Sequence, residues 1–392
     1  MRIAYISADF GVPVFGTKGA SIHVRELTRA LRLVGHEVLI LTPRAGEARP
    51  EDFDVPVHEV PAEGVAGGER RRRTYASLLR QRALPLLREF GPDAIYERYS
   101  LFGTAGARLA RDLDVPLVLE VNAPLADEQA RYRALDQVDE ALRVERALLR
   151  TAERVVAVSR GLERWLRRIG VDDDRITVLP NGVDPERFRP RDVEAAAVRA
   201  DLGMNGRPLV GFVGTLKPWH DLATLVRALA LLGAAERPEL LVVGDGPDRA
   251  AIAAEADRLG VSATFTGAVS HDRVPAYVAA FDVAVAPYAA DDGFYFSPLK
   301  LAEYLAAARP VVAADIGDIR HCVRPGETGC LYEPGDPVAL AAAIRSVLAD
   351  PGRAAELGAA GRAHVRAEHT WKANARAVAE LSRAACERKG VA

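Results

Sequence analysis

Phe294-Tyr295-Phe296-Ser297-Pro298-Leu299-Lys300-Leu301-Ala302-Glu303-Tyr304-Leu305-Ala306-Ala307-Ala308-Arg309-Pro310-Val311-Val312-Ala313-Ala314 decides how this chain is read. Ser297 followed by Pro298 predicts a helix start, because serine caps an orphan N–H and proline lacks the one that would go unused. The helix is expected to run to about Ala308, with a short apolar strand from Pro310. Lys300 falls in the first turn, where a cation opposes the helix dipole. Its pairing with Glu303 at i,i+3 has the weaker orientation. The lysine makes sense if an anion sits at that helix N-terminus, held by backbone N–H groups and the ammonium together. A solvated lysine snorkelling off a surface helix is the plain alternative.

The surrounding composition narrows the setting. A length of 392 residues predicts two or three domains, and 49% apolar content supplies their cores. A net charge of −2 gives no bulk attraction to nucleic acid or membrane, so no nucleic-acid partner is expected, and membrane contact is left open without being indicated. Three cysteines without a CxxC pair suit a reducing compartment. No apolar run approaches membrane-spanning length, and a strand at Ile3–Ile6 leaves no room for a leader, so a cytoplasmic protein is expected. Of 52 basic residues only five are lysine (18, 217, 300, 372 and 389). The two cations are not interchangeable, so the few lysines draw notice.

Outward from the quoted stretch, apolar runs alternate with helical patterns, which predicts parallel sheets. Strands are expected at Arg2–Ser7, Glu37–Leu41, Ala94–Tyr96, Pro116–Val121, Val155–Val158 and Arg175–Leu179, then from Leu209 to Tyr332 after a polar stretch. Ser21 is expected to start the first helix after a loop carrying Gly11, Gly16 and Gly19, and a long helix is expected over about 124–150. The Gly16-x-x-Gly19 spacing is not GxGxxG, and no acidic residue follows the second strand, so a nicotinamide cofactor is not expected. Glu120 and Asn122 stand at a strand end, where open α/β sheets bind ligands. Asn122 could equally cap the helix behind it. The run Arg70–Arg73 reads as a solvated helix face or an acceptor or lipid-phosphate contact. Asp172-Asp173-Asp174 reads as a turn rather than a metal motif.

In the second half, loops 214–221, 244–247, 267–272 and 287–297 follow strand ends and would open on one edge. That edge carries Gly214, Gly244, Gly246, Val269, Lys217 and Lys300, which together suggest a phosphate-binding rim.

With those motifs the chain resembles a retaining glycosyltransferase of the GT-B fold, in the large family numbered four. The resemblance rests on the glycine loop before Ser21-Ile22-His23, on Pro180-Asn181-Gly182-Val183-Asp184, on Val243-Gly244-Asp245-Gly246-Pro247, and on Glu303 with Ala313-Ala314-Asp315. It implies two Rossmann-like doubly wound domains facing a cleft. The acceptor would bind residues 1–185, with Gly16, Gly19 and His23 on that side. A nucleotide sugar, UDP-linked by family frequency, would bind 186–371, and a last helix, 372–390, would return to the first domain. Neither a cofactor nor an essential metal is implied. Glu303 matches the second of two glutamates and resembles the ribose-binding one. The place of the first holds Tyr295, with Asp291 or Asp292 as the candidate replacement. Thr215 and His220 stand where the family has arginine and lysine. Lys217 and Lys300 are the implied replacements, as in a subgroup with a Ser-Pro-Leu-Lys segment. Phe296, Ser297, Pro298 and Leu299 complete the implied donor site, and Glu120 and Asn122 resemble positions that touch the sugar. A nucleotide-sugar-binding protein without transfer activity, or an epimerase or phosphorylase of the same fold, is the alternative.

Overall fold

The computed structural model describes residues 1–390 except 47–48, 64–67, 133–134, 205 and 291–293. Asp291 and Asp292 therefore lie outside the described residues. The strands are β1 (Arg2–Ser7), β2 (Glu37–Thr42), β3 (Val57–Glu59), β4 (Ala94–Arg98), β5 (Leu117–Val121), β6 (Arg154–Ala157), β7 (Ile176–Val178), β8 (Leu209–Val213), β9 (Glu239–Val243), β10 (Ala263–Phe265), β11 (Val283–Ala286), β12 (Val311–Ala314) and β13 (Cys330–Tyr332). They form two parallel sheets, ordered β3-β2-β1-β4-β5-β6-β7 and β10-β9-β8-β11-β12-β13. In each, strand order reverses beside the first strand, between β1 and β4 and between β8 and β11. That reversal opens a crevice at the carboxyl ends of the strands.

The chain divides into two compact units, Met1–Pro180 with Trp371–Ala392, and Asn181–Thr370. The break precedes residue 185 because Val183 and Phe188 are buried in the second core. Helix Trp371–Lys389 packs on helix Gly19–Leu33 and on β5, within the first unit.

Three local expectations are corrected. The first helix starts at Gly19, not Ser21, and lacks a side-chain cap. Ser21 is instead buried one turn in. The long helix expected over 124–150 is two, Leu125–Tyr132 and Val138–Thr151. Glu69 accepts from the backbone N–H groups of Asp136 (2.6 Å) and Gln137 (3.2 Å), which supplies the second helix with a partner for its orphan donors. Leu101, Phe102, Ala126, Leu135 and Ala141 then cluster beneath the bend. Finally, the 299–306 helix is not capped by Ser297. Pro298 takes the cap position without a side-chain hydrogen bond, and the helix ends at Ala306.

Candidate active-site residues in the two units

In the second unit the loops after β8 and β9 are locked backbone to backbone. Gly214 N–H donates to the Val243 carbonyl (3.0 Å), and Leu216 N–H to the Asp245 carbonyl (3.0 Å). A Cβ on Gly244 would lie 2.0 Å from the Gly214 carbonyl oxygen, and one on Gly246 2.2 Å from that of Leu216. Gly244 also has φ +142°, which favours glycine. These two glycines permit the close approach of the loops.

The 214–221 loop is tied to the quoted stretch by aromatic contacts. Trp219 stacks on Phe296, with ring centroids 6.2 Å apart. His220 meets Phe212 and Tyr288 edge-on, and its Nδ1 lies 2.6 Å from the Thr215 carbonyl. Burial, then the charge of Lys300, pushes the His220 imidazole down to about 2, so it is neutral. His220 thus shapes the loop and supplies no cation, while Thr215 is exposed. Lys217 is half-buried on this loop, its ammonium 5.8 Å from the Trp219 ring centre. Tyr295 packs against Phe296.

Lys300 is not a solvated lysine. It is 8% exposed. Its ammonium lies 4.1 Å from the Phe212 ring centre and 5.5 Å from that of Tyr288. Cation–π attraction offsets part of the desolvation. Among the described residues, Nζ has no hydrogen-bond partner. A Cβ on Gly214 would come within 2.9 Å of it, so the ammonium sits at the end of β8. Burial lowers Lys300 to about 7, with Glu303 pulling the other way.

Ser297 serves a different purpose from capping. Its hydroxyl accepts from Asn181 N–H (2.9 Å), and its carbonyl from Asn181 Nδ2 (2.6 Å). Asn181 is thereby docked onto the quoted stretch, and the first turn of the 299–306 helix keeps its N–H groups unclaimed by any side-chain cap. One turn on, Tyr304 accepts from Val213 N–H (2.7 Å) and fixes the helix to β8. Glu303 pairs with His271 at 3.0 Å, both buried. His271 was missed by the sequence reading, although its loop was singled out. Val269, on that loop, is half-buried against the core.

In the first unit, His23, Glu120 and Asn122 come together. Glu120, 1% exposed, receives His23 Nε2 (2.8 Å), Tyr96 OH (2.5 Å), Arg98 Nη1 (3.1 Å) and Asn122 Nδ2 (2.6 Å). Burial would raise its carboxyl. The charges of His23 and Arg98 and the bonds from His23 and Tyr96 overcome that and hold it at about 2. Asn122 therefore serves Glu120 rather than a helix cap. Tyr96 and Arg98 had a readable signal, as they share the carboxyl end of β4, whose register sets Arg98 beside Glu120. Gly16 is a structural glycine. A Cβ there would lie 2.6 Å from Ser21 Oγ, and its carbonyl accepts from Arg25 (2.7 Å). Gly19 is exposed at the helix start.

A cavity opens at the β1–β4 crevice, lined among others by Asp9, Phe10, Arg72, Tyr75, Ser100 and Gln129. The basic run divides its labour here. Arg71 stacks on Phe10 (4.4 Å), Arg72 lines the cavity, and Arg73 pairs with Glu140. Among the described residues no helix is long and apolar enough to cross a membrane.

Residues 207–350 match the family model of glycosyl transferases group 1, and residues 17–187 that of glycosyltransferase family 4. The chain is 31% identical to a D-inositol 3-phosphate glycosyltransferase of Streptomyces scabiei, over 94% of this chain and 86% of that protein. It is 30% identical to a GDP-mannose-dependent alpha-mannosyltransferase of Mycolicibacterium smegmatis, over 95% and 94%. Sucrose-phosphate synthase from Thermosynechococcus elongatus superimposes with a TM-score of 0.76 at 26% identity, covering 97% of this chain and 98% of that one.

Proposed function

Since the chain belongs to glycosyltransferase family 4, with the GT-B fold, and is a glycosyltransferase that uses nucleotide sugars, we propose that it moves a sugar from a UDP-linked donor to a hydroxyl acceptor with retention at the anomeric carbon. The observation that carries the donor half is Lys300, a buried ammonium with no hydrogen-bond partner among the described residues, beside Gly214 and an uncapped helix start. A diphosphate answers all three, since helix N-termini and cations both take anions. As the glycosidic bond breaks, the leaving diphosphate gains negative charge. Lys300, Lys217 and the helix amides then bind the transition state more tightly than the ground state. Glu303 takes the ribose hydroxyls once it leaves His271, and Tyr295 and Phe296 flank the donor. No metal is required in this scheme.

The acceptor half rests on the first unit. Its cavity offers Asp9, Arg72, Ser100 and Gln129 to a polyol, with Phe10 and Tyr75 as apolar walls. Glu120 holds His23 and Asn122 in place and is too firmly paired to serve as a base. A guanosine donor is the second reading, favoured by the GDP-mannose-dependent relative. A thermal-shift panel of UDP-, GDP- and ADP-sugars separates the two, because the tightest ligand raises the midpoint most. The largest shift is expected with a UDP-sugar, and NMR of the product should give the donor's anomeric configuration. A larger shift with GDP-sugars removes the uridine assignment, and an inverted product removes retention.

Two further outcomes are expected. Glu303→Gln should weaken UDP binding by about tenfold, as expected for a charged hydrogen bond of about 1.5 kcal/mol, while leaving the fold intact. Equal UDP affinity in both proteins would contradict the ribose contact. Diphosphate binding should also restore the charge on Lys300. Above the lysine's free value of about 7, binding must then take up a proton. Calorimetry in buffers of different ionisation enthalpy reads this directly. Uptake should be present at pH values above 7, fade below, and vanish in Lys300→Met; identical uptake in that variant would exclude Lys300 as its source.

A further inference from the structure

His364, Glu368 and His369 lie at the end of helix Pro351–Glu368, in the second unit, with their ligand atoms all within 4.8 Å of one another. His364 and Glu368 are one turn apart on the same face. His369 follows at once, and its ring meets that of His364 edge-on at 5.0 Å. His364 Nε2 faces the His321 carbonyl at 3.3 Å, so Nε2 carries a proton, and in the neutral ring Nδ1 keeps its lone pair. His364 Nδ1 and His369 Nε2 are both buried without a hydrogen-bond partner among the described residues. Imidazole nitrogens buried without a hydrogen bond are costly unless something fills the space between them. Glu368 Oε1 lies 3.5 Å from His364 Nδ1.

We propose that His364, His369 and Glu368 form a binding site for a divalent transition cation of the zinc class, separate from the nucleotide-sugar residues. Two imidazoles and one carboxylate suit such an ion, with water in the fourth position. Bonds near 2.0–2.2 Å set tetrahedral ligand atoms about 3.3 Å apart. The His364–Glu368 separation already matches, and His369 has only a short distance to close. The His364–carbonyl bond supplies the outer contact that orients a ligating imidazole. Among the described residues Arg324 opposes the ion, its Nη2 2.8 Å from Glu368 Oε1, but its side chain is 45% exposed and can turn outward.

The test is calorimetric titration of the chelator-stripped full chain with zinc chloride alone, alongside Co(II) absorption. One saturable equivalent is expected, with tetrahedral Co(II) bands. His364→Gln and His369→Gln should each weaken binding by about tenfold or more, as loss of a ligand does. Arg324→Met should tighten it several-fold. His220→Gln and His271→Gln control for capture at the donor loops and should leave zinc affinity unchanged, whatever they do to transfer. If His364→Gln fails to fold, the half-buried His369 carries the test. No saturable zinc uptake, or uptake unchanged in His369→Gln, overturns the site.

Discussion

Lys300→Met should lower kcat/KM by about 10²–10³, a loss of about 3–4 kcal/mol of transition-state stabilisation, with the fold intact. Methionine fills much of the space against Phe212 and Tyr288 and removes only the charge, so a packing defect is a small part of the effect. Loss should show in kcat as much as in KM, because the charge being stabilised grows as the bond breaks. The same variant should stabilise the ligand-free protein, with a fixed sign. Burial sets the folded lysine at about 7, below its ordinary 10.5. Between those values the unfolded chain binds the extra proton, so stability of the native protein rises with pH. The gain from methionine is therefore greatest below about pH 7 and shrinks as pH rises toward 10.5. Activity retained within twofold, or a thermal gain that grows with pH, would remove Lys300 from the role given it.

The second large effect is expected in the other unit. Glu120→Ala should destabilise the first unit by about 3–5 kcal/mol, the usual result of removing one partner from a buried ion pair. Arg98 and His23 would keep their burial and lose their anion, while Tyr96 OH and Asn122 Nδ2 would lose their acceptor. Calorimetry should show one transition shifting down by roughly 10 °C, since each kilocalorie moves a unit of this size by about 2–4 °C. The pH dependence has the same sense as that of Lys300 but falls in the acid range, because both groups titrate below their ordinary values in the folded chain. Glu120 is held at about 2 against an ordinary 4.5, so its contribution is complete above 4.5 and is lost as pH falls toward 2. In Glu120→Gln that acid-dependent loss should disappear. A shift under about 1 kcal/mol would mean that the four donors find water instead.

The two parallel sheets were legible because buried parallel strands read as short apolar runs, and β1, β8, β9, β11 and β12 fall where those runs lie. Loops after them were legible for the same reason, since glycines and lysines punctuate the runs. Side-chain assignments fared differently. Ser297 has the right type and position for a cap, yet Asn181, 116 residues away, claims both its hydroxyl and its carbonyl. The helix expected through 124–150 failed because Glu69, far upstream, holds a bend that no local propensity announces.

By itself the sequence determined which residues stand at strand ends, that two α/β halves exist, and that a lysine begins a helix against the dipole. Those are properties of period and spacing, and they survive any packing. Only the tertiary structure decided that Lys300 is buried against two rings, that Glu303 meets His271 across 32 residues, and that Glu120 gathers His23, Tyr96, Arg98 and Asn122. Burial and charge partners depend on which strands lie side by side, and that is settled when the sheet forms.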